Sequence, residues 1–183
     1  MGLFRWFQGK TPAQRQLDEW RATWKHVSDV PNASDVERLT SELSAIGLPE
    51  EEIEIEREMI EGLASVLQLQ NAVAANGLPV IPSGHRVLGA EPCHFSASCS
   101  MPDEASEPSG RLMFTGARAI FVGGSAAVTI PWHGVSNVLH QHRDLILVRR
   151  DRETLHRFRC NVFTDAMSAA FLARTLSSKR PSV

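Results

Sequence analysis

Long apolar runs are missing from this 183-residue chain. No stretch approaches the roughly 20 consecutive apolar residues of a membrane-spanning helix, so no helical span is expected. Cysteine is scarce: Cys93, Cys99 and Cys160 make an odd three, and with no secretory signal they fit a reducing compartment. The opening Met1-Gly-Leu-Phe-Arg-Trp-Phe-Gln-Gly-Lys10 is too short for a signal peptide and has no small-residue cleavage site. Trp6 stands where N-myristoylation wants Ser or Thr. A cytoplasmic location is the expectation, with membrane association kept open by features described below.

Enzyme signatures are missing too. The chain has no G-x-S-x-G, P-loop, G-x-G-x-x-G or H-E-x-x-H pattern. Its carboxylates concentrate on one helix and in one loop, without a partner nucleophile or base at a telling spacing. No catalytic residue and no cofactor is therefore assigned. Zinc sites want paired ligands such as C-x-x-C or H-x-x-x-H, and neither occurs. His140 and His142 share one face of an expected strand, and Cys93, His94, Cys99 and His133 could in principle join them. Ordinary strand residues are the plainer reading, and a metal-binding protein or small hydrolase stays the remote alternative.

Strong charge of one sign is also absent, with a net of −2. That balance hides an asymmetry. Residues 1–83 carry 7 Lys+Arg against 13 Asp+Glu, whereas residues 84–183 carry 12 against 8 and six of the seven histidines. Two units that face different partners, or each other, would produce such a split. The basic surplus of the second half is too small to point to nucleic acid.

The first half reads as helical. Thr11-Pro12-Ala13-Gln14 has the form of a capping box with proline at the first helical position. Behind it Leu17, Trp20, Trp24 and Val27 recur on one stripe, and Pro31 closes the helix. Ser34-Asp35-Val36-Glu37 reads as a second capping box, with Val36, Leu39, Leu43 and Ile46 on one stripe and Gly47 as the stop. A third helix is expected from Pro49, with Glu50, Glu51 and Glu52 complementing its positive end. Ile53, Ile60, Leu63 and Leu67 mark its apolar side, and Asn76-Gly77 ends it. A small bundle, or helices laid on the second half, would both bury these stripes; self-association through them is a further expectation. Two glycines and two prolines between Asn76 and Gly84 mark a boundary.

Beyond Gly84, short β-prone segments recur with turn residues between them: His94–Cys99, Arg111–Thr115, Arg118–Val122, Ala127–Trp132, Val135–His140, Leu145–Arg149 and Leu155–Cys160. This spacing predicts an antiparallel sandwich or barrel. Thr164-Asp165 then caps a closing helix, with Met167, Ala170, Phe171 and Leu176 available to face the sheet and cover an open end.

The segment Gly110-Arg-Leu-Met-Phe-Thr-Gly-Ala-Arg-Ala-Ile-Phe-Val-Gly123 resembles the second and third strands of PH-like domains of the GRAM and bacterial PH type. A glycine opens one strand, a threonine closes it, and an arginine starts the next. Ile130-Pro-Trp-His-Gly-Val-Ser-Asn-Val138 resembles the family's next stretch. Asp144–Val148, Leu155–Cys160 and the helix from Thr164 complete the order, over roughly residues 85–178. The resemblance implies a PH-like β-barrel closed by a C-terminal helix and a binding role, toward phosphoinositides, other anionic lipids or protein surfaces. It does not fix which. PH domains that grip inositol phosphates carry Lys and Arg around the first strand–strand loop. Here that loop, Met101–Ser109, holds Asp103, Glu104 and Glu107 and no basic residue, which repels phosphate.

Two features are candidates for binding. Arg143, Arg149, Arg150, Arg152, Arg157 and Arg159 gather around one hairpin. They could hold an anionic headgroup, an acidic protein or the acidic helices of this same chain. The plainer reading is a solvated edge hairpin. Leu3, Phe4, Trp6 and Phe7, flanked by Arg5 and Lys10, suit shallow insertion into a membrane interface, or else packing into a groove or against the helix at Thr11. Nucleic acid is not expected, because only Phe158 lies among the arginines to stack on bases.

The expectation is therefore an α+β chain: an apolar and basic segment 1–10, a helical region 11–76, a linker 77–84, a PH-like domain 85–178 and a tail 179–183. The leading function is a non-enzymatic adaptor recognising a protein partner. Its rival is peripheral attachment to anionic membranes through the N-terminal aromatics and the arginine hairpin.

Overall fold

A computed structural model describes residues 10–124, 126–151 and 154–178. Three helices come first: α1 (Pro12–Val27), α2 (Ala33–Ile46) and α3 (Glu54–Asn76). Seven strands follow: β1 (Phe95–Ser100), β2 (Ser109–Phe114), β3 (Arg118–Gly123), β4 (Ala126–Pro131), β5 (Val135–Gln141), β6 (Asp144–Arg149) and β7 (Leu155–Cys160). Helix α4 (Phe163–Ser178) closes the chain. The result is an α+β architecture whose second half has the element order implied by the resemblance to PH-like domains.

The start of α1 is a capping box: Thr11 Oγ1 accepts the Gln14 N–H at 3.2 Å, and Gln14 Oε1 accepts the Thr11 N–H at 3.0 Å. Its two buried tryptophans hold the other helices through their indole N–H groups. Trp20 donates to the Leu39 carbonyl of α2 at 2.8 Å and Trp24 to the Met59 carbonyl of α3 at 3.1 Å. Such partners are what a buried indole needs.

Two helix starts differ from the sequence expectation. Helix α2 is capped by Asn32, not Ser34: Asn32 Oδ1 accepts the Asp35 N–H at 2.9 Å, and Ser34 merely donates to Asn32. Asn32 has the extended backbone of a cap, φ −125° and ψ 169°, just ahead of the helix, whereas Ser34 already lies within its first turn. Pro49 does not begin α3. Glu50–Glu52 form one 3₁₀ turn, and Ile53, buried in the helical core, sits at φ −121° between that turn and the helix.

The strands form one antiparallel sheet in the order β4-β3-β2-β1-β7-β6-β5. The expected barrel does not close, because β4 and β5 share no ladder among the described residues. The chain leaves β4 at Pro131, which has no N–H, and turns through Trp132–Gly134. Bonds from this turn go elsewhere: the Trp132 N–H to Ala117, its indole N–H to Thr115, and the Gly134 carbonyl to the Arg150 N–H. Gly110 is required on β2 because a Cβ there would lie 2.2 Å from the Val122 carbonyl oxygen on β3.

Three cores result. One lies between the sheet and α4, with Phe95, Phe114, Phe121, Trp132 and Phe158 against Ala166, Ala169, Ala170, Leu172, Ala173 and Leu176. A second joins α1–α3 to Phe163 and Met167 of α4. Met167 therefore faces the helices and not the sheet. The helix is apolar around most of its circumference, as a helix walled in on both sides must be. On the outer face of the sheet, Leu88, Cys93, Met113 and Ile120 form the third. The stripes that suggested self-association thus meet one another and α4.

Candidate binding surfaces at the seam of helices and sheet

The arginine hairpin is organised by one carboxylate. Asp144 opens β6 directly opposite Arg159 of β7, and its side chain is 6% exposed. Its Oδ1 accepts from Arg159 Nε at 2.9 Å, and its Oδ2 accepts from Arg157 Nε at 2.7 Å and from Arg157 Nη2. Burial alone would raise the Asp144 carboxyl, but the hydrogen bonds and charges of Arg159 and Arg157 hold it below its ordinary value of 3.8. The same hydrogen bond raises Arg159, with Glu107 and Asp103 adding to it. Arg157 also lies 3.6 Å from Asp103, so the acidic β1–β2 loop stands beside these arginines.

The remaining described arginines of the cluster are also engaged. Arg149 is 3.4 Å from Asp151, and Arg150 Nε donates to the His133 carbonyl at 2.6 Å. Arg143, in the β5–β6 turn, pairs with Glu58 of α3, its guanidinium carbon 5.2 Å from the Phe163 ring centroid. The other Glu58 oxygen accepts the Phe163 N–H, the first amide of α4, at 2.8 Å. The cap of α4 therefore comes from α3, where the sequence suggested Thr164-Asp165. Arg152 and the N-terminal Leu3, Phe4, Trp6 and Phe7 lie outside the described residues.

Beside this latch, α1, α3 and the end of β5 enclose a cleft of about 520 Å³. Glu56 lines it, 1% exposed, bound to Arg21 Nε at 2.7 Å and Nη2 at 2.6 Å. His140 lies underneath, its ring 5.9 Å from that of Trp24. Burial first, and Arg174 next, push His140 below its ordinary value of 6.5, so the imidazole is uncharged at neutral pH. His142 does not share its strand face: β5 ends at Gln141, and His142 turns the chain at φ +54°. Among the described residues, no three His, Cys, Asp or Glu side chains are grouped to hold a metal ion.

A shallower depression of about 330 Å³ meets this cleft at Asp29 and His140 and is lined by Val30, Val138, Leu139 and Arg174. It follows the free edge of β5. Both backbone groups of Val138 are met by side chains there: its N–H donates to Asn137 Oδ1 at 2.8 Å, and its carbonyl accepts from Arg174 Nε at 3.3 Å. Asp29 holds Arg174 in place at 2.7 Å. These contacts blunt the edge against strand addition. Around the two depressions, Val30, Ile55 and Leu139 are 77%, 53% and 44% exposed.

No family model and no curated protein matches the chain. Among solved structures it is similar to the C-terminal domain of an unknown protein from Leishmania infantum, at 13% identity and a TM-score of 0.43, over 50% of this chain and 89% of that one. It is similar to the N-terminal PH domain of human ARAP2 at 17% identity and a TM-score of 0.34, over 48% of this chain and 85% of that one. Likeness to the DH/PH domains of p115-RhoGEF, at 5% identity and a TM-score of 0.45, covers 93% of this chain and 57% of that one. The fold assignment rests on the strand order and closing helix described above, not on these likenesses.

Sequence reasoning missed Glu56 and Glu58. A signal for Glu56 exists: it lies three residues after Ile53 and three before Met59, on the apolar stripe of α3 and not on its solvated face. Nothing local marks Glu58, whose partners are 85 and 105 residues away.

Proposed function

We propose that this chain is a non-enzymatic PH-like binding module, of the GRAM or bacterial PH type, that recognises a protein partner in the cytoplasm. The observation that carries the reading is the apolar surface at the seam. Val30, Ile55 and Leu139 stand exposed around two adjoining depressions, and apolar side chains gathered at a concave surface suit a protein interface. The described arginines support it from the other side, since their charge is spent largely on acceptors of this chain. Single-stranded nucleic acid is disfavoured because Phe158, the aromatic among the arginines, is fully buried.

The test replaces Leu139 with a photo-crosslinking phenylalanine analogue in the full chain and irradiates it in extract from the source cells. Liposome flotation with neutral and anionic vesicles runs in parallel at two salt concentrations. A discrete protein adduct is expected, competed away by excess unmodified chain and not by Leu139→Asp, with no flotation. An adduct of twice the chain's own mass would make the partner a second copy. The absence of a competed adduct overturns the reading. If it is accompanied by salt-sensitive flotation on anionic vesicles that is lost on removing residues 1–9, peripheral membrane attachment takes its place.

A further inference from the structure

The cleft between α1, α3 and the end of β5 has the volume of a small-molecule site, about 520 Å³ against the roughly 300–1,000 Å³ usual for such sites. Its wall is apolar where Trp24 and Met59, both buried, meet the exposed Ile55 at the rim. Its charges cancel with one exception. Arg21 is matched to Glu56 and Asp29 to Arg174. His140, half-buried against Trp24, contributes no charge at neutral pH. Lys25, exposed at the mouth, takes part in no ion pair among the described residues. A cavity with an apolar body and a single unmet ammonium at its entrance complements a molecule with an apolar chain and one negative end.

We propose that this cleft binds a small amphipathic carboxylate, its apolar chain against Trp24, Met59 and Ile55 and its carboxylate at the Lys25 ammonium. The cleft adjoins the Leu139 surface and shares Asp29 and His140 with it. The two proposals are tested separately, since octanoate titration needs no partner protein and crosslinking at Leu139 needs no carboxylate. A dicarboxylate is disfavoured, because its second charge would have to enter beside the buried Glu56. A cationic amphiphile meets Lys25 at the mouth and is repelled.

Octanoate is the probe, with 1-octanol as its uncharged counterpart, titrated calorimetrically into the full chain. Ala22→Trp fills the cleft from an exposed position of α1 that carries no core contact. Lys25→Gln removes the charge alone. Saturable octanoate binding is expected in the parent chain and is abolished by Ala22→Trp. Lys25→Gln weakens octanoate by about two- to fivefold, the range of a solvent-exposed ion pair, and leaves octanol unchanged. Should Ala22→Trp unfold, Ile55→Glu serves in its place: losing the apolar rim weakens both ligands, and the added negative charge weakens octanoate more than octanol. The proposal is overturned if the parent chain shows no saturable octanoate binding, or if neither Ala22→Trp nor Ile55→Glu reduces it. It is equally overturned if Lys25→Gln leaves octanoate unchanged or weakens octanol to the same extent.

Discussion

Replacing Glu58 with alanine removes two contacts at once, and their sizes can be separated. One carboxylate oxygen accepts the Phe163 N–H at the start of α4, and the other pairs with Arg143. Loss of a helix cap costs about 1 kcal/mol. The ion pair is partly exposed, 40% on the arginine and 20% on the glutamate, and is worth about 0.5–1 kcal/mol. Together they make about 2 kcal/mol, which in a chain of this size lowers Tm by about 4–8 °C. Glu58→Gln keeps an oxygen for the Phe163 amide and loses only the charge, so its loss is about 1–4 °C by the same conversion. Thermal unfolding followed by circular dichroism reads both. Raised salt should shrink the gap between Glu58→Gln and the parent while leaving the gap between Glu58→Gln and Glu58→Ala intact, since only the first is Coulombic. A double-mutant cycle with Arg143→Ala isolates the pair term. If Glu58→Ala shifts Tm by less than about 1 °C, or if Glu58→Gln is as damaging as Glu58→Ala, the assignment of α4's cap to Glu58 is wrong.

Two further outcomes follow from buried groups. Asp144→Asn leaves Arg157 and Arg159 facing each other without their counter-charge and should cost about 2–3 kcal/mol, below the usual loss for a fully buried pair because the arginines reach solvent. Because the folded carboxyl lies below its ordinary 3.8, Asp144 adds stability above that pH and loses it as pH falls through the folded value. A scan of Tm from about pH 5 downward should thus be steeper in the parent than in Asp144→Asn, and equal slopes would refute the role given to it. The three thiols are each pushed up by burial, Cys99 to about 12. A thiol reagent at mildly alkaline pH should label none of them quickly in the folded chain and all three in denaturant; one rapid equivalent would show that a thiol is not where the fold places it.

The position of β1 was legible because burial alternates along it. Phe95, Ala97 and Cys99 point inward while Ser96, Ser98 and Ser100 do not, and that two-residue period needs no knowledge of neighbours. The α1 capping box is equally local, as both of its bonds lie within four residues. Closure of the barrel was not legible, because it depends on where the bonds of the Trp132–Gly134 turn go, and their partners lie in the β2–β3 and β6–β7 turns. The arginine cluster was visible as a set of residues, but not as a set of commitments. Asp144 stands next to Arg143 in the sequence, yet its burial between two other guanidiniums follows from the β6–β7 register. The seam was hidden for the same reason: Arg143 meets Glu58, and Arg174 meets Asp29, across 85 and 145 residues.

The most consequential feature is that α4 is a party wall. It supplies Leu172 and Leu176 to the sheet and Phe163 and Met167 to the helices, so the stretch that punctuates the sequence near Gly84 is not a line along which the molecule comes apart. A fragment starting there would carry Phe163 and Met167 of α4 bare into water, and the three leading helices alone would lack their fourth side. An engineer seeking the sheet as a portable module would have to repaint Phe163 and Met167 before cutting.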